Sequence, residues 1–204
     1  MGSKKNNAGG MSFRLPDGYS RMNSMPDDPA DSSAFGMQTP GCACFLMLYP
    51  VQPESAMPFE DVRPLIDGIH GSLGDDQGLI EAKCDKTLSG RPLVYSIVKT
   101  AGQPDGVQYC LTLQLDYSSL VLNVQGFFDE VGVTGTRDAA VYELAVKNGQ
   151  VSVDMAGWRQ DPYDPSFIRG NLMNLSEDKL YDAQFPEHPL SQLRALVDFI
   201  IQSD

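Results

Sequence analysis

Gly41 to Val51 places apolar side chains on both faces of one extended segment: Cys42, Cys44, Leu46 and Leu48 alternate with Ala43, Phe45, Met47, Tyr49 and Val51. A strand apolar on both faces belongs in the middle of a sheet covered on both sides, since either face left open would hold its side chains in water. A chain built around such a strand needs covering elements, and the sequence that follows supplies them. After the breakers Pro53 and Pro58, Phe59, Val62, Ile66, Ile69 and Leu73 form a stripe at helical spacing. Pro64 falls in the first turn of that helix, where its missing N–H costs nothing, and Gly71 and Gly74 end it.

From Leu79 the period changes from helical to alternating. Leu79 to Asp85, Arg91 to Thr100, Val107 to Asp116 and Ser119 to Phe128 are separated by Ser-Gly, Gly-Gln-Pro-Asp-Gly and Asp-Tyr-Ser turns, the spacing of an antiparallel meander. Val107, Tyr109, Leu111, Leu113 and Leu115 share one face of their strand, so that face is buried. Thr136 can cap a second helix that runs to about Asn148 with Gly149 as its stop; its narrow apolar set, Ala140, Val141, Leu144 and Ala145, predicts a helix lying on the sheet surface. The clearest element is the last helix. Pro189 lies in its first turn, and Leu190, Leu193, Leu196, Val197, Ile200 and Ile201 fall on one face.

The regions between are polar. Met1 to Gly10 is too rich in Gly, Ser, Asn and Lys to pack and is expected to be a disordered lead. Met11 to Tyr19 reads as a short strand, with Phe13 and Leu15 on one face, closed by a Pro-Asp-Gly turn. Met25 to Gln38 reads as a surface connection, and Gln150 to Pro186 as mostly irregular with a helical turn at Ser176. The predicted fold class is α/β (α+β): an antiparallel sheet covered by helices on both faces, an α/β/α sandwich. With 204 residues the chain is most economically one domain, residues 11–204, able to bury roughly 70% of its unfolded surface.

Several motifs together resemble the PsbP-like fold. They are Phe13-Arg-Leu-Pro-Asp-Gly, the apolar strand after a long loop, the helix around Phe59 to Leu73, Ser89-Gly90-Arg-Pro leading into Leu93-Val-Tyr-Ser-Ile, and the strand ending in Gly126-Phe127-Phe128. That group includes the photosystem PsbP proteins, the Ran-binding Mog proteins and bacterial DcrB-type lipoproteins. Against the compact family pattern, about 134–186 is an insertion. The tail, through Asp161-Pro-Tyr-Asp-Pro and Phe185-Pro-Glu-His-Pro-Leu-Ser, resembles uncharacterised bacterial proteins. The resemblance implies a soluble, non-enzymatic bacterial protein that binds another protein or sits in an envelope, with no cofactor.

Charge narrows the partners. A formal charge of -12 disfavours nucleic-acid phosphates and anionic membranes, leaving neutral or basic protein partners. No stretch reaches the 18 or so apolar residues of a membrane helix, and Met1 to Gly10 has no apolar signal core. The expected compartment is the cytoplasm; the alternative is an exported lipoprotein whose signal has been removed. The oligomeric state is left open.

Cys42, Cys44, Cys84 and Cys110 fall inside predicted strands and read as reduced core thiols. Cys42 and Cys44, roughly 6.5–7 Å apart on one strand face, leave a metal site as the alternative. His188 with Ser191 can be drawn as a nucleophile and base, but Ser and His at a helix start more often cap, so a hydrolase is the alternative to a non-catalytic protein. His70 is placed to meet the last carbonyls of its helix. Glu177, Asp178 and Asp182 read as helix-start and solvated charges. The candidate partner-binding residues are Trp158, Asp161, Tyr163, Asp164 and Phe167, large aromatics and carboxylates set in a segment with little regular structure. Asp161 and Asp164 also suit turn formation, and calcium is the less favoured reading of the pair.

Overall fold

The computed structural model describes residues 3–102 and 106–203. Seven strands form one antiparallel sheet in the order β3-β4-β5-β9-β8-β7-β6: β3 Ser20–Arg21, β4 Ser33–Gln38, β5 Cys42–Val51, β6 Gln77–Lys86, β7 Pro92–Ala101, β8 Val107–Asp116 and β9 Val121–Glu130. A separate hairpin pairs β1 Ser3–Ala8 with β2 Met11–Pro16. The helices are α1 Arg63–Ser72, α2 Thr136–Lys147 and α3 Pro189–Ser203.

The two-faced strand is β5, and it lies between β4 and β9. Its Cys42, Cys44, Leu46 and Leu48 enter the main core, where Leu190, Leu193, Leu196, Val197 and Ile200 of α3 cover them together with the β1–β2 hairpin. On the opposite face α1 packs at the far end of the sheet, with Ile66 against Leu79 and Ala82 and beside Val98. Helices therefore lie on both faces, as an α/β/α sandwich requires. The outer side chains of β5 are nonetheless only half-buried, and Phe45 stacks on Phe127 at 6.5 Å as a cross-strand pair that shields each ring partly from water.

A bulge in β6 positions a charged group. The register against β7 skips from Leu79 to Glu81, leaving Ile80 as the extra residue. Two consecutive residues then share the α3 side of the sheet: Ile80 joins the main core, and Glu81 meets Tyr95 and Arg194.

Four sequence expectations change. Ser3–Ala8, expected to be disordered, pairs along its backbone with β2, and Ala8 at the end of β1 is buried in the main core; backbone pairing asks nothing of side-chain hydrophobicity. Met1 and Gly2 of that lead lie outside the described residues, as do residues 103–105 of the predicted Gly-Gln-Pro-Asp-Gly turn. Ser33–Gln38, expected to be connection, is β4, with Phe35 edge-on to Phe13 at 5.9 Å. Helix α2 packs on the irregular segment rather than on the sheet: Val141 and Ala145 meet Val151, Trp158 and Tyr181, while Leu144 stays 43% exposed. Its N-cap is Gly135, whose φ of 72° is left-handed, and Thr136 is the first helical residue.

All four cysteines are free thiols. Burial pushes the Cys42 thiol up to about 12, with Asp129 adding to the effect, so it stays protonated.

Candidate functional site

The irregular segment between α2 and α3 is held by its own short ladder. The Gln160 N–H donates to the Met173 carbonyl and the Leu175 N–H to the Trp158 carbonyl, both at 2.9 Å, around a bridge between Arg159 and Asn174. From there the chain runs along the edge of β6, where the Asn171 N–H donates to the Gln77 carbonyl at 2.7 Å.

The five sequence candidates all lie on this segment; Trp158 and Asp161 are buried, and Tyr163, Asp164 and Phe167 are half-buried. Trp158 is 4% exposed and edge-on to Tyr142 at 5.3 Å. Asp161 is 3% exposed: its Oδ1 accepts the N–H groups of Tyr163 and Asp164, an Asx turn, while Oδ2 meets His70 Nε2 at 2.9 Å. His70 thus faces Asp161 and Phe167, whose ring stacks on the imidazole at 4.1 Å. The Tyr163 hydroxyl donates to the Ala82 carbonyl at 2.9 Å and accepts the Ala82 N–H at 2.6 Å, closing the free edge of β6. Asp164 accepts from the Ser166 N–H and hydroxyl, which hold its carboxyl below the usual carboxylate range. Trp158 and Asp161 also line a groove of about 350 Å³ together with Gln160, Pro162, Met173 and Asp178. Its lining carries two carboxylates and no cationic side chain.

Beneath the segment lies an ionic layer. Lys99 Nζ donates to Glu177 Oε2 at 2.8 Å, with the two side chains 2% and 1% exposed. The Tyr109 hydroxyl donates to Glu177 Oε1 at 2.9 Å and the Asn174 N–H to Oε2 at 2.7 Å, so both carboxylate oxygens are used. Burial, then the Glu177 charge, pushes the Tyr109 phenol well above its ordinary range, which keeps it a donor. Arg194 joins Glu81 at 3.1 Å to Asp182 at 3.2 Å and donates to the Glu177 carbonyl. Arg137, 1% exposed, donates to the carbonyls of Ser176 and Asp178, to Ser191 Oγ at 2.9 Å and to Asp182 at 3.0 Å. Three cations and three carboxylates thus tie α2, α3, β6 and β7 to the segment. Glu177, expected as a solvated charge, is therefore part of the interior: it does close a capping box with Asn174, but its carboxylate is buried, while Asp182, paired with Arg137 and Arg194, keeps 17% of its side chain exposed.

His188 and Ser191 do not face each other as base and nucleophile. His188 Nδ1 accepts from the Leu190 N–H at 3.3 Å and faces the Arg137 guanidinium at 3.5 Å, which places the ring proton on Nε2. Burial, then Arg137 and Arg194, lowers its pKa to about 3, so it is a weak base at neutral pH. The Ser191 hydroxyl accepts from Arg137 and donates to Asp182 at 3.3 Å.

Two of these interior charges carry a signal in the sequence. Lys99 continues the inward row of Leu93, Tyr95 and Ile97, and Arg194 sits beside Leu193 within the apolar stripe of α3. A charge on a buried face demands a counter-charge. Nothing in the local pattern says which carboxylate supplies it.

No family model and no curated protein matches the sequence. Solved structures similar to this chain include the Saccharomyces cerevisiae Ran-binding protein Mog1p, 10% identical with a TM-score of 0.43 over 70% of this chain and 84% of that one. Cyanobacterial PsbP (CyanoP) from Synechocystis is 16% identical, with a TM-score of 0.37 over 67% of this chain and 83% of that one. A Pseudomonas aeruginosa protein of unknown function is 13% identical, with a TM-score of 0.38 over 72% of this chain and 93% of that one. The structures found thus include the PsbP and Mog groups that the sequence motifs resemble. Among the described residues no helix is long and apolar enough to cross a membrane.

Proposed function

We propose that the chain is a non-catalytic protein-binding or accessory domain that receives a basic segment of its partner in the groove beside Trp158 to Phe167. The observation that carries this reading is the groove itself, about 350 Å³ with the half-buried Asp178 in its lining and no Lys or Arg, on a chain of formal charge -12. The inward anchoring of Trp158, Asp161, Tyr163 and Phe167 supports it: a loop pinned at that many points presents Gln160, Pro162 and Asp178 with little ordering left to lose on binding. The His188 geometry favours this reading over a hydrolase, because Nδ1 is engaged and the pKa is low.

The test is affinity purification from source lysate with the wild-type chain and Gln160→Arg, an exposed substitution that sets a cation in the groove. A partner present with wild type and lost from a variant of unchanged melting temperature supports the reading. Retention of every partner by Gln160→Arg removes the groove from it. The compartment, cytoplasmic or exported as a lipoprotein, belongs to the same proposal; the intact mass of the native protein decides between the two.

A further inference from the structure

Part of the outer sheet face has no covering layer among the described residues. Helix α1 covers only the β6–β7 end, with Ile66 against Leu79 and Ala82 and beside Val98. The loop after β5 crosses the lower end, where the Met57 N–H donates to Gln114 Oε1 at 2.7 Å. Beyond these, Ala43, Phe45, Met47 and Tyr49 of β5, Phe127 of β9 and Cys110 of β8 share the outer face on neighbouring strands, all of them half-buried. None of the six belongs to the buried clusters around α1, α2 or α3. Apolar surface of this extent gains free energy when something removes it from water.

The open face also lacks charge. Among the outward positions of β4, β5, β8 and β9 the only charged residues are Asp129 and Asp116, at opposite ends, in a chain that is 21% charged. Loss of charge with gain of aromatic rings and methionine marks the centre of an interface. In the middle, Phe45 stacks on Phe127, and beside them the Thr112 hydroxyl donates to Gln125 Oε1 at 3.1 Å. The Gln125 amide N–H groups and the lone pairs of the Thr112 oxygen have no further partner among the described residues. A spare donor next to a spare acceptor is matched by the same pair across a two-fold axis. An apolar helix laid on this face would leave both unsatisfied.

We propose that two copies of this chain pack through this face as an isologous dimer. Phe45, Met47 and Phe127 of each copy cover those of the other, and the Gln125 amide of each donates to Thr112 of its partner. The face spans four strands and the residues from Ala43 to Tyr49, roughly 19 Å by 24 Å at the usual spacings. Two such footprints come to roughly 900 Å² before side-chain relief is counted, close to the ~1,000 Å² that a specific interface needs. The dimer is therefore of modest strength, with a dissociation constant on the order of 10 µM. Each chain has a formal charge of -12, so copies repel at long range and meet with least added repulsion where the surface is uncharged. Salt screens that repulsion and tightens the dimer.

Sedimentation equilibrium of the intact chain from about 1 to 500 µM tests the proposal. A monomer–dimer equilibrium is expected, tighter by about threefold in high salt than in low salt. Phe45→Glu sets a carboxylate against its own copy and weakens the dimer by about a hundredfold or more, with the melting temperature of the dilute monomer unchanged. Met47→Glu, half-buried on the same face, repeats that test independently. Gln125→Leu weakens the dimer about tenfold by leaving Thr112 unmatched. Leu180→Glu, at an exposed position outside the sheet, leaves it unchanged. A wild-type chain that stays monomeric throughout the range overturns the proposal. So does a dimer that survives both Phe45→Glu and Met47→Glu, or one that salt weakens. A monomeric wild type that binds an uncharged amphipathic leucine–glutamine helical peptide, and loses it in Phe45→Glu, gives the face to a partner helix and overturns the proposal as well.

Discussion

Lys99 and Glu177, 78 residues apart, meet at 2.8 Å with both side chains almost wholly buried. One lies on a central strand and the other in the irregular segment, so the pair fixes that segment onto the sheet. Two buried charges lose most of their hydration, and their mutual attraction with the hydrogen bonds from Tyr109 and Asn174 offsets that loss. Removing either partner leaves the other uncompensated. Lys99→Met and Glu177→Gln are each expected to destabilise by about 3–5 kcal/mol in urea unfolding. The double variant is expected to lose less than the sum, because the orphaned charge is then gone; strict additivity would show that the two groups do not act as a pair.

Tyr163→Phe tests the closed edge of β6. The phenol oxygen serves both the N–H and the carbonyl of Ala82, and phenylalanine fills the same space without it. A loss of about 1–3 kcal/mol is expected, since two backbone groups lose their partner. Light scattering at high concentration should also show more self-association, as an unpaired strand edge is a template for pairing. A monodisperse variant of wild-type stability would mean that water replaces the hydroxyl without consequence.

Arg137→Lys separates charge from geometry. The guanidinium reaches Ser176, Asp178, Asp182 and Ser191 at once, and an ammonium group cannot span that fork. The lysine variant should therefore lose most of the stability that Arg137→Ala loses, about 3–5 kcal/mol. Near-complete rescue by lysine would place the contribution in charge alone.

His188 makes stability depend on pH in one direction. Its folded pKa, about 3, lies below the ordinary 6.5, so the unfolded chain binds the proton first as pH falls. The contribution is fully present above about 6.5 and is lost progressively as pH drops toward 3. Carboxylates titrate over part of the same range, so the comparison is between wild type and His188→Gln. The variant should lose less stability than wild type between pH 6.5 and 4; parallel profiles would show that the ring is not held neutral.

The elements with a strong local period were legible in the sequence. The alternation of β8, the stripe of α3 and the turns between β6 and β9 each repeat a spacing that one element can satisfy by itself. β4 escaped notice because Gly36 interrupts its short run and its strand character comes from pairing with β5. β1 escaped because its polar sequence carries no period, and it is ordered by backbone bonds to β2.

The segment after α2 shows the limit most clearly. Its composition drew attention to Trp158, Asp161, Tyr163, Asp164 and Phe167, but composition does not say which way a side chain points. Trp158 turns toward Tyr142, Asp161 toward His70 and Tyr163 toward Ala82, and two of those contacts span 81 and 91 residues. By itself, then, the sequence determined the layered α/β architecture, because hydrophobic period is a local property read within one strand or helix. The tertiary structure alone decided which charges are interior, which edge is closed and where the acidic groove lies. Each of those depends on partners brought together from distant parts of the chain.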